Sequence, residues 1–101
     1  MSQVETYLSH LVHTKYQGNV IILEAENKLL YLKVGELEHN ILANRNSLLR
    51  FTEETSNGIK VTTELAIRET ELRIKNILNT IELNCLIIER FEYLIKSKVS
   101  N

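Results

Sequence analysis

The side chains best suited to chemistry are few and scattered. His10 and His13 stand three residues apart, a spacing that brings two imidazoles to one face of a helix, close enough to share a metal ion. A protein metal site needs at least one further ligand, and none lies beside them. Glu36-Leu37-Glu38-His39 contains the Glu-x-x-His spacing of di-iron bundles, where two such motifs and two more glutamates project inward. Here the motif occurs once, and Glu36 and His39 turn away from the apolar position Leu37. Cys85 would need a cationic neighbour or a base to become a nucleophile. It adjoins Asn84 and Leu86 instead, at or beside an apolar seam, where a cysteine is an inert small hydrophobe. Gly18, Gly35 and Gly58 are isolated, so no glycine-rich loop cradles a phosphate. The expectation is a chain that is not an enzyme and holds no metal or cofactor.

The elements that carry these residues are read from a different pattern. Ile67, Ile74, Ile81, Ile88 and Ile95 recur every seventh residue. Upstream, Val20, Val34, Ile41 and Leu48 keep the same period, with Leu23, Leu30 and Leu37 three residues behind. A seven-residue apolar repeat holds one seam of a helix against another helix, as in coiled coils and bundles. The composition agrees: proline is absent, and all 13 acidic residues are Glu, so both a helix breaker and a turn former are missing.

At 101 residues there is room for one domain, residues 1–101, with a modest core. The net charge of −1, with both signs interspersed, lacks the basic stripe of a nucleic-acid binder. Uninterrupted apolar runs stop at about four residues, far below the ~20 of a membrane span. The opening residues carry histidines rather than a basic then apolar leader. A lone cysteine points to a reducing compartment, cytoplasm or nucleus.

The spacing predicts an all-α fold of three helices. A short one spans about 3–17, opened by the capping box Ser2-Gln3-Val4-Glu5 and closed or bent at Gly18-Asn19. Two long ones span about 20–54 and 62–98, joined at Thr55-Ser56-Asn57-Gly58 with Thr62 or Thr63 as cap. So short a connection makes the long helices antiparallel, as a hairpin completed by the short helix into a three-helix bundle or coiled coil. Two registers stay open. One sets Phe51 near Ile67 and Leu23 near Ile95; the other sets Leu48 against Ile67 and Val20 against Ile95. Glu64–Arg68, Glu69–Arg73, Glu71–Lys75 and Glu92–Lys96 place Glu four residues before a base on the outer faces, the favourable order.

Two features bear on function. Asn27 and Asn44 occupy core positions of the 20–54 helix, and Asn84 does so in one register of the last helix. A polar residue in a seam is a device that sets register or oligomer state at some cost in stability. The second feature is surplus apolar surface. Leu29, Leu32, Leu65, Leu72, Leu83 and Leu86 fall outside the seams, as do Leu42 and Leu49. At about 1.5–3 kcal/mol per buried Leu, leaving six exposed forfeits on the order of 10 kcal/mol, as much as a whole domain's stability. The six are therefore candidate contacts for helical protein partners, in a homo- or hetero-oligomer.

The run Leu23, Asn27, Leu30, Val34, Leu37, Ile41 resembles a leucine zipper in its seam pattern alone. The stretch before it, His13 to Gly18, holds one Lys, so the resemblance does not extend to a DNA-reading basic region. By fold analogy the chain is similar to small coiled-coil subunits of larger assemblies. The expectation is a scaffold or adaptor subunit of a multi-protein complex. The alternative is a small helical chaperone or inhibitor, of secretion or phage type, that sheathes one client.

Overall fold

A computed structural model describes the backbone of residues 3–100 and the side chains of residues 14–97. It is all-helical, with two long helices, α1 (Gln3–Arg50) and α2 (Asn57–Ser100), paired as a hairpin. The short helix expected over 3–17 is not a separate element: α1 runs through Gly18-Asn19 without interruption. A glycine ends a helix by taking positive φ, and no glycine here does so. The side chains of residues 3–13, and Ser2 of the proposed capping box, lie outside the described residues.

The connection also differs. α1 stops at Arg50, several residues short of the expected Glu54, and α2 starts at Asn57 rather than near Thr62. The intervening residues form a tight turn in which the Thr55 N–H donates to the Thr52 carbonyl (3.0 Å) and the Thr52 N–H to the Thr55 hydroxyl (3.0 Å). Ser56 is the cap, accepting the Ile59 N–H on its hydroxyl at 3.2 Å. Thr62 and Thr63 lie inside the helix, where their hydroxyls donate to the carbonyls of Gly58 (2.7 Å) and Ile59 (2.8 Å) four residues back. Those bonds let a β-branched, strand-prone run, Ile59 to Thr63, stay helical without an orphaned hydroxyl.

Contacts divide the chain into two compact units, one of Leu30–Thr80 and one of the residues up to Leu29 with those from Ile81 onward. Within the turn-side unit, α1 presents Leu30, Val34, Leu37, Ile41, Asn44 and Leu48 at alternating steps of four and three, all buried or half-buried. α2 answers with Thr63, Ile67, Thr70, Ile74 and Ile77 at the same steps. Val34, Leu37, Ile41 and Ile67 are the buried members. Thr70 sits in this seam at no polar cost, because its hydroxyl donates to the Ala66 carbonyl at 2.8 Å. Arg45 ties the two helices on the outside, its guanidinium 3.0 Å from Glu71. Glu71 was expected to serve Lys75 of its own helix.

In the other unit the seam consists of Tyr16, Val20, Leu23 and Asn27 from α1 and Ile81, Asn84, Ile88, Phe91 and Ile95 from α2. Tyr16 meets Phe91 with ring centroids 5.4 Å apart.

Candidate interaction faces

The polar layer of the second unit is built from three side chains, Asn27 of α1 and Asn84 and Cys85 of α2. Asn27 and Asn84 are both buried, at 8% and 6% exposure. The Asn84 amide donates to Asn27 Oδ1 at 2.9 Å, and the Asn27 amide donates a longer bond, 3.6 Å, to Cys85 Sγ. Neither register read from the sequence has this geometry. They would set Phe91 or Ile88 opposite Asn27, leaving two buried amides against hydrocarbon. An unsatisfied buried polar group costs about 1–3 kcal/mol, so amide against amide is the favoured match. Asn44, expected beside Asn27 as a register residue, is half-buried in the other unit. Cys85 is exposed, beside the seam rather than in it.

The remaining chemistry-bearing residues stay apart. His39 is exposed, and Glu36 is engaged by Lys33 at 3.3 Å. His10 and His13 lie outside the described side chains. Among the described residues no three His, Cys, Asp or Glu gather as a metal site, and no helix is long and apolar enough to cross a membrane. A shallow depression of about 390 Å³ in the turn-side unit, lined by Lys33, Leu37, Arg73, Asn76 and Ile77, holds no carboxylate, and its Lys33 ammonium is paired with Glu36.

The outer faces are apolar. Leu29, Leu83 and Leu86 in one unit, and Leu32, Leu65 and Leu72 in the other, are all more than half exposed. Leu42 and Leu49 are exposed as well. Sequence reasoning passed over Ile21, Ile22, Tyr31, Ile59, Val61 and Tyr93, also open to solvent. A signal for two of them was present: Tyr93 lies seven residues beyond Leu86, and Ile22 seven before Leu29. Arg90 covers part of Tyr93, its guanidinium carbon 5.3 Å from the ring centroid.

No protein-family model, curated protein or solved structure matches this chain. Its class is therefore defined by the fold alone, an all-α helical hairpin with apolar residues on both the inner and the outer faces.

Proposed function

We propose that this chain is a non-enzymatic interaction subunit, a scaffold or adaptor that binds partner helices in a multi-protein complex. The observation that carries the reading is the double-sided apolar patterning of both helices. The seam buries one face of each, while Leu29, Leu32, Leu65, Leu72, Leu83 and Leu86 remain in water. Exposed leucines are ordinary when single; repeated at helical spacing on two helices, they form a surface that another helix can cover. On this reading the third layer of the bundle comes from the partner. Asn27 fixes the register by its match with Asn84, with Asn44 in a lesser role. A reducing compartment, cytoplasm or nucleus, keeps Cys85 as a thiol.

Affinity purification of the full chain beside its Leu72→Glu/Leu86→Glu variant tests the reading. A constitutive subunit brings down its partner in fixed stoichiometry, and the double variant, still helical by circular dichroism, loses it. A client that is released, with its solubility or activity changed, marks a chaperone or inhibitor instead. Retention of every partner by the double variant removes the proposed face.

A further inference from the structure

The two flanks of the turn-side seam are not equivalent. Arg45 and Glu71 each stand one residue after an inner position, Asn44 and Thr70, and there a base meets an acid at 3.0 Å. Lys33 and Arg73 each stand one residue before an inner position, Val34 and Ile74, and so lie on the opposite flank. Both are bases, one from each helix, and they line a single depression of about 390 Å³. Its other walls are Asn76, exposed, and Ile77, half-buried; Leu37, 3% exposed, forms the floor. All five residues belong to the Leu30–Thr80 unit.

The positive charge of this depression is only partly answered. Lys33 is paired with Glu36 at 3.3 Å, but both side chains are more than half exposed, and an ammonium has three N–H donors. Arg73 has Glu69 four residues before it, the favourable order for a pair. It nevertheless makes no ion pair or hydrogen bond with a described residue. Charges beside a helical seam govern which helices associate, and like charges there are destabilising unless something intervenes. Residues 30–80 carry as many bases as glutamates, so the surplus is local to this flank.

We propose that the depression receives a carboxylate side chain of a partner helix, so that the helix bound by this unit is acidic along the row facing Lys33 and Arg73. This rests on the reading that the chain binds partner helices, and it names their chemistry. A glutamate fits the site along its length. Its methylenes cover Leu37 and Ile77, its carboxylate enters between the two bases, and the Asn76 amide is a further donor. The guanidinium of Arg73 can hold both carboxylate oxygens at once. A free small molecule needs most of its surface enclosed, which a shallow depression does not provide. A side chain carried by a helix gains its remaining contacts from that helix and is already positioned. The same flank continues toward the turn with Asn40, Ala43 and Ser47 of α1 and Ala66 of α2. These side chains are short, and the Ser47 hydroxyl already donates to the Ala43 carbonyl at 3.1 Å, so a helix can approach without stranding it.

The test uses three synthetic peptides of about 20 residues, long enough to become helical when bound. Each has leucine along one face; the rows beside it are Glu in the first, Gln in the second and Lys in the third. Binding to the full chain is followed by titration calorimetry and heteronuclear NMR. The Glu peptide is expected to bind with a Kd of ~100 µM, about tenfold tighter than the Gln peptide, with the Lys peptide weaker again. Its affinity falls as salt screens the charges, and the Arg73 Nε–H and Asn76 amide resonances shift with it alone. Lys33→Glu/Arg73→Glu inverts the order, so that the Lys peptide binds about tenfold tighter than the Glu peptide. Arg68→Glu/Lys75→Glu makes the same change of net charge elsewhere in the unit and keeps the preference for Glu. All four residues are exposed, and circular dichroism checks that both variants stay helical.

A wild type that does not distinguish the peptides, or that leaves the Glu peptide unbound at ~1 mM, overturns the proposal. So does an equal loss of preference in the two double variants, which reports overall charge alone. If the three peptides bind alike and Leu72→Glu weakens all of them, the acidic site has failed and the interaction-subunit reading stands. If no peptide binds and Leu72→Glu/Leu86→Glu retains every partner in affinity purification, both have failed.

Discussion

The two units of this hairpin solve the same packing problem with different side chains. The turn-side unit buries Val34, Leu37, Ile41 and Ile67 and adds an exposed Arg45–Glu71 pair between its helices. The other unit buries two amides, Asn27 and Asn84, beside Ile81 and closes with the Tyr16–Phe91 contact. Aliphatic seams supply most of the stabilisation but accept many alignments, because hydrocarbon packs against hydrocarbon at several offsets. A matched pair of amides contributes little net stability, yet it penalises every other alignment by the cost of two orphaned polar groups. The contrast teaches that one unit is packed with hydrocarbon alone, while the other spends part of its buried seam on a matched pair of amides.

That contrast can be broken most sharply at Leu37, the most buried aliphatic of the turn-side unit at 3% exposure. Leu37→Ala should lower unfolding free energy by about 2–5 kcal/mol, read from urea titration; a change below ~1 kcal/mol would mean that the seam collapses around the deletion. Asn84→Leu alone should cost about 1–3 kcal/mol, because it strands the buried Asn27 amide against hydrocarbon. Replacing both, as Asn27→Leu/Asn84→Leu, should recover that loss and raise the melting temperature. The same double variant should show a second set of amide resonances from a slipped alignment. A single set of resonances with unchanged cross-links would remove the register role while leaving the packing intact.

Ser56→Ala tests the turn between the helices and should cost about 1 kcal/mol, the usual loss of a serine cap. Gly35→Ala should change stability by a similar amount in the opposite direction. A Cβ at Gly35 meets nothing within 4 Å and the residue lies mid-helix, so alanine should add about 0.8–1 kcal/mol, seen as a higher melting temperature. The smallest effect is expected at Arg45→Ala, about 0.2–1 kcal/mol at low salt and nothing measurable in high salt, since the ion pair with Glu71 is solvent-exposed.

Much of the helical character was legible because it depends on local order. The absence of proline and the seven-residue recurrence of isoleucine specify long helices with one inward face. The outer leucines were legible for the same reason, as residues two positions from the seam cannot share its face. The helix boundaries were less so. Gly18-Asn19 has the composition of a stop, but a glycine is a stop only in the left-handed conformation, and neighbouring α1 residues keep it helical. Ser56 was hidden because no Glu or Gln follows it three residues on, so no capping box drew attention to it.

The chain's order of residue types decided by itself that there are helices, that each has two apolar stripes, and that polar residues interrupt the inner one. Those properties repeat within one or two turns and need no distant partner. Which residue faces which was settled only when the helices met. Alignment between two rods depends on the length of the turn and on which side chains meet across the seam, as Asn27 and Asn84 do from positions 57 residues apart. A local pattern contains no term for such a meeting; hydrogen bonding across the seam supplies it.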